Sequence, residues 1–177
     1  MRGAFSAFYN QHVSIDQHRR SAPASVRCFV LTISDSRTEE NDVSGDTVAG
    51  LLTTSGHAIG GRAIVKDEPH AVRVAVTGWA PIAQAIITTG GTGITSRDRT
   101  FEALSGVLEK RLDGFGELFR ALSYQEIGSA AMLSRACAGT IGKTAVFCLP
   151  GSEHAVRLGM MKLVLPEIAH IVRELNR

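Results

Sequence analysis

Between residues 87 and 104 the chain reads ITTGGTGITSRDRTFEAL, with three glycines in four positions and then an aspartate between two arginines. Gly90, Gly91 and Gly93, with Thr92 among them, can take backbone angles closed to other residues, so successive N–H groups can turn inward around an anion. Such a loop suits phosphates. It matches neither standard fingerprint, because no lysine follows as in a Walker A loop and the spacing is not GxGxxG. A glycine-rich strand-to-helix turn without a ligand is the alternative. Asp98 has two readings as well: the cap of the helix that starts TFEAL, or a carboxylate placed beyond a phosphate cradle to hold magnesium, an ion that prefers a few carboxylates plus phosphate oxygens.

Asp67, in VKDE at 65 to 68, would favour the start of a helix at Pro69 through the helix dipole. It would also come from the carboxyl end of a neighbouring strand, where two carboxylates from adjacent loops can share a metal or activate a nucleophile. The six histidines form no HExxH or other metal-ligand spacing, and there is no GxSxG elbow or cysteine-nucleophile signature. Zinc and serine hydrolase chemistry is therefore not expected. Cys28, Cys137 and Cys148 stand far apart with no CxxC pair and read as inert core thiols of a protein in a reducing compartment, the cytoplasm.

Loops of this kind need strands and helices to aim them. VRCFVLTIS from Val26 is too short for a helix and reads as a strand buried on both faces. DTVAGLLTTSG, 46 to 56, has helical spacing; HAIGGRAIV, 57 to 65, is a second strand; Pro69 opens a helix that Asp67 and Glu68 precede. QAIITT, 84 to 89, is a third strand, and the glycine loop leads from it into the helix TFEALSGVLEKR. Residues 114 to 139 read as helical segments broken at Gly128, TAVFCLP as a fourth strand, and the rest as a long final helix divided or kinked at Pro166. This alternation predicts one α/β domain, a three-layer arrangement with a mostly parallel sheet flanked by helices. Ligands of such sheets bind beyond the carboxyl ends of the strands, near a switch in strand order. The loops there read SDSRTEENDVSGD, KDEP, GGTGITSRD and PGSEH.

At 177 residues, 44% hydrophobic and 20% charged, the chain has the size and balance of one domain. Its formal charge of +2 belongs to the first 25 residues, which read as a flexible tail without the apolar run of a secretory signal; the remainder, residues 26 to 177, is neutral. Nucleic-acid binding is thus not expected, and the apolar runs fall short of the ~20 residues a membrane helix needs.

Seven blocks occur in order: TISDSR, DVSGDT, VKDE, TTGGTGITSRDRTFEA, GFGELFR, LSRACAG and LPGS. On these the chain resembles, from about residue 26 to its end, the MoaB/MogA family of molybdenum-cofactor biosynthesis proteins, and its MoaB branch more closely. The resemblance implies the molybdopterin-binding, MogA-like fold and the adenylylation of molybdopterin by Mg-ATP, giving adenylylated molybdopterin and pyrophosphate. Asp98 and Asp67 match the family's two functional acids, Asp98 the one associated with Mg2+. Gly90, Gly91, Thr92 and Gly93 would hold nucleotide phosphates, with Ser34 and Asp35 on the same face. Ser134, Arg135, Pro150, Gly151 and Ser152 would line the pterin side. A homo-oligomer, hexamer rather than trimer, and contact with other cofactor-assembly proteins are implied too.

Two positions depart from the family pattern: His154 stands where a lysine is common, and Phe101 where a proline is. Two further functions remain open at this point. One is a non-catalytic pterin- or nucleotide-binding paralogue acting as carrier or interaction module, against which the glycine loop and both acids weigh. The other is a CinA-like nucleotide pyrophosphatase domain, against which LSRACAG and LPGS weigh.

Overall fold

Six strands form one sheet in the computed structural model, which describes residues 21–96 and 98–177. The expected tail lies largely outside the described residues. β1 (Arg27–Ile33), β2 (Ala58–Val65), β3 (Ala85–Thr89) and β6 (Thr144–Leu149) are the four strands the pattern predicts, and β1–β2, β1–β3 and β3–β6 pair in parallel. β4 (Lys110–Arg111) and β5 (Cys137–Ile141) were expected to be helical and instead extend the sheet antiparallel, in the order β2-β1-β3-β6-β5-β4.

The reason lies in pairing. A two-residue turn at Gly142 and Lys143, with Gly142 at φ +55°, folds β5 back onto β6. The β5 edge then draws in residues 109–112 through Glu109 N–H to Thr140 O (2.8 Å) and Leu112 N–H to Ala138 O (2.8 Å). The helix predicted over 100–111 accordingly stops early.

Helices cover both faces. α1 (Val43–Thr54) is capped by Asp42, whose carboxylate accepts from Gly45 N–H at 2.9 Å. Together with α4 (Asp113–Ile127), α5 (Glu153–Gly159) and α6 (Leu165–Leu175), it packs on the face carrying Val30, Ile87 and Phe147. α2 (Pro69–Trp79) and α3 (Thr100–Ser105) cover Leu31, Ile86 and Val146 on the other. These sets occupy alternate positions, as two buried sheet faces require.

The final helix is divided, as expected, but by a wider turn rather than a break: Met160–Val164 form one π turn in which Leu165 N–H reaches Met160 O. Pro166 follows at once, and its missing N–H and its ring disfavour the regular bond in that turn. Cys28 is fully buried, and burial pushes its thiol up to about 12, as befits an inert core residue.

β1 has β2 on one side and β3 on the other, so the strand order reverses beside β1, and the carboxyl ends of β1, β2, β3 and β6 share one edge of the sheet. A crevice is expected there.

Candidate functional site

That edge holds a cleft of about 570 Å³, within the range of small-molecule sites. Its floor is the glycine loop. Gly90, at φ +100°, donates its N–H to Leu149 O (3.1 Å), and a Cβ there would strike the Ile33 carbonyl. Gly91, at φ +63°, leaves no room for a Cβ against Thr100 Oγ1. Both positions therefore need glycine for backbone angle and for space. Gly151 packs against the Gly90 backbone from the β6 loop, so two strand ends meet at the cleft floor.

Of the expected site residues, Ser34, Gly90, Gly91, Thr92, Gly93, Asp98, Ser134, Pro150, Gly151 and Ser152 all line this cleft. Ser34 Oγ accepts from the N–H groups of Ser36 and Arg37 (both 3.2 Å) and so shapes its own loop. Pro150 O accepts from Thr89 Oγ1 at 3.2 Å, and Ser152 caps α5 by accepting from Ala155 N–H at 3.2 Å. Phe119, Ile127 and Leu133 add an apolar wall opposite these hydroxyls.

Asp98 does not cap α3. Its Oδ2 accepts from Thr95 N–H (2.9 Å) and Thr95 Oγ1 (2.5 Å), closing a turn within the loop, while the helix begins after Arg99. The Thr95 hydroxyl bond, assisted by the Thr95 and Gly93 amides and the Arg135 charge against the cost of desolvation, holds the carboxyl below the ordinary aspartate value.

Asp67, Asp35 and Arg135 are placed elsewhere. Asp67 sits behind Gly91: its Oδ1 accepts from Thr100 Oγ1 (3.0 Å), its other oxygen faces Gly91, and the Arg99 amide favours its charge. Asp67 thus ties down the start of α3. Desolvation pushes its carboxyl up, and the charges of Asp98 and Asp35 push the same way, against the hydrogen bonds. Asp35 joins it, accepting from Asp67 N–H at 3.3 Å. Arg135 lines not the cleft but a second depression of about 510 Å³ on the far side of the loop, with Arg73, Arg99 and Glu102. Asp98 borders both spaces.

Several wall residues escaped the sequence reading. Arg37 and Ser44 stand within the blocks TISDSR and DVSGDT, and Ser123 continues the buried Phe115, Phe119 stripe of α4 at i+4. A hydroxyl on that apolar stripe was the available signal. Asp42 is a further case: nearly fully buried, it accepts from Thr32 Oγ1 (2.6 Å) and Ser44 Oγ (3.2 Å), fixing two residues of the cleft wall, with Arg62 at 3.6 Å. His154, at the departure from the family pattern, lies 3.3 Å from Glu126 across α5 and α4.

Among the described residues no group of three or more His, Cys, Asp or Glu side chains could hold a metal by itself, and no helix is long and apolar enough to cross a membrane. Asp98, half-buried beside the glycine loop, is a single carboxylate that could complete the shell of a magnesium ion holding other oxygen ligands, since that ion often takes only one or two carboxylates from a protein.

Residues 29–170 match the family described as "Probable molybdopterin binding domain". The molybdenum cofactor biosynthesis protein B of Bacillus cereus is 51% identical over 168 residues, covering 93% of this chain and 99% of that one. A crystal structure of a molybdenum cofactor biosynthesis protein B superposes with a TM-score of 0.85 at 52% identity, over 89% of this chain and 99% of that chain. The tungsten cofactor synthesizing protein MoaB from Pyrococcus furiosus gives 0.79 at 37% identity, over 88% and 100%.

Proposed function

The chain belongs to the MoaB/MogA family of molybdopterin-binding proteins, and from that premise we propose that it serves molybdenum-cofactor biosynthesis by adenylylating molybdopterin. The observation that carries this reading is the meeting, in one cleft, of the glycine loop and Asp98 with Ser34, Ser134 and the Pro150–Ser152 turn. Hydroxyls and backbone amides face an apolar wall there, a lining suited to a flat polar heterocycle bearing a phosphate.

In the reaction a terminal phosphate oxygen of the pterin attacks the α-phosphorus of ATP. A new P–O bond forms, the α–β bridge breaks, and pyrophosphate leaves with its electron pair. The attacking oxygen is already anionic, so the protein's task is positioning and charge balance rather than proton removal. The amides of Gly91 and Thr92 would hold phosphate oxygens, Gly90 would shape the loop with its N–H on Leu149 O, and Arg37 would add charge at the rim. A magnesium ion carried by the nucleotide would neutralise phosphate charge, held by Asp98. Asp67 would act from behind the loop by fixing Arg99 and Thr100, at the junction of loop and α3.

A carrier role has one observation in its favour: Arg37 is the only basic side chain lining the cleft among the described residues, sparse for two polyanions. Incubation with molybdopterin and Mg-ATP, followed by chromatography for adenylylated pterin and pyrophosphate, separates the two. Protein that binds both ligands yet forms no product would refute the enzymatic reading.

A further inference from the structure

All three nitrogens of the Arg135 guanidinium donate hydrogen bonds, mainly to the backbone of the glycine loop rather than into the cleft. Its Nε donates to Thr92 O (3.2 Å), its Nη2 to Gly93 O and to Asp98 O (2.7 Å), and its Nη1 to Glu102. Its flat face lies over the Phe101 ring, 5.3 Å from the centroid, an arrangement that favours a cation. Carbonyls from both ends of the segment 92–98 thus converge on one planar fork, which a lysine ammonium cannot reproduce.

Gripping a carbonyl also orients an amide. In a trans peptide the C=O of one residue and the N–H of the next point in opposite directions. Holding Thr92 O therefore sends Gly93 N–H away from Arg135, at a residue packed against the Asp98 carboxylate, whose charge that amide favours. Holding Asp98 O sends Arg99 N–H the other way, and that amide favours the charge of Asp67, which Thr100 Oγ1 of the next residue bonds directly. One side chain outside the cleft thus orients an amide that acts on each of the two acids. A segment of this glycine content loses much backbone freedom on ordering, and an external clasp offsets part of that cost.

We propose that Arg135, seated on Phe101, is a positioning residue that clasps the loop from behind and sets the orientation of Asp98 and Asp67, rather than a pterin contact. The consequence for turnover rests on the adenylylation reading, but the clasp itself does not.

Two variants test it: Arg135→Lys, which keeps the charge without the fork, and Phe101→Leu, which removes the ring but leaves the guanidinium. Hydrogen exchange reads the Gly93, Thr95 and Arg99 amides against those of β1 and β3. In R135K the loop amides exchange faster by about tenfold or more, the equivalent of losing a hydrogen bond to a charged group, while the strand amides are unchanged. F101L shifts the same amides in the same direction by less. In the adenylylation assay R135K lowers kcat by roughly 10- to 100-fold, as misplacement of reacting groups does, and changes pterin affinity less than about threefold.

Unchanged loop exchange in R135K overturns the proposal, as does a tenfold loss of pterin affinity with kcat intact. Should R135K fail to fold, F101L decides through the same amides. Should the wild-type protein form no product, exchange and pterin binding decide, so failure of the enzymatic reading is distinguishable from failure of this one.

Discussion

Replacing Asp98 by asparagine removes one negative charge and almost no volume from the point where the cleft and the rear depression meet. The fold should survive. The two bonds from Thr95 (2.9 and 2.5 Å) can still find an amide oxygen, so the loss is the difference between a charged and a neutral acceptor, about 1 kcal/mol. Asp98 is only partly buried, which keeps its attraction to Arg135 screened and modest. For a chain of this size that is a fall in Tm of roughly 2–4 °C. Its carboxyl is held low in the folded state, so the stabilisation it gives is present above the ordinary aspartate range and is lost as pH falls through the folded value. The Tm gap between wild type and D98N should therefore narrow on acidification. Turnover should fall much further, by about 10²- to 10³-fold, the usual effect of removing one electrostatic group aimed at a transition state. The assay is adenylylated-pterin formation per folded molecule, with Tm measured on the same samples. A variant that loses several degrees but retains wild-type turnover would refute the reasoning and leave Asp98 as a turn-closing residue.

Asp67→Asn should behave with the opposite sign: its carboxyl is pushed up in the folded state, so its charge opposes folding above that value, and D67N should raise Tm at pH 7 with the gain shrinking as the pH approaches about 4. A D67N protein less stable at pH 7 than at pH 4, relative to wild type, would contradict this. Gly91→Ala forces an unfavourable φ and drives a methyl into Thr100 Oγ1, so denaturant unfolding should show a loss of about 1–3 kcal/mol or more, whereas an unchanged midpoint would mean that the loop sits differently. We also expect a homo-oligomer, because Leu118, Tyr124 and Met132 stand exposed along α4 and the turn after it, with a hexamer before a trimer on the family resemblance alone; a light-scattering mass of one 18.9 kDa subunit at micromolar concentration would sink that expectation.

The parallel part of the sheet was legible because VRCFVLTI, AIITT and TAVFCL are runs of strand length rich in apolar and β-branched residues, each followed by polar or glycine-rich loops. β5 was not legible. Its sequence CAGTI has small residues without alternation, and its strand state comes from the Gly142 turn that presents it to β6. β4 is shorter still, two exposed residues whose only reason to extend is the β5 edge. Pairing partners distant in sequence decided both, and no local pattern carries that information.

The site shows a second limit, and it concerns direction rather than identity. The blocks locate the right loops, but neighbours within a block point opposite ways wherever the backbone is extended. Ser134, with ψ 126°, borders the cleft while Arg135 passes behind the glycine loop. Ser34 lines the cleft while Asp35 turns to the Asp67 amide. Asp67 and Asp98 illustrate the same point from two loops: each was legible as either a helix-start acid or a functional one. Asp98 turns out to close its own turn, and Asp67 holds the start of α3 rather than of α2. A motif read as a list of residue types therefore does not say which of its side chains line the cleft. The residues behind the loop belong to the site all the same, because they fix the peptide planes on which the cleft's own donors and acids depend.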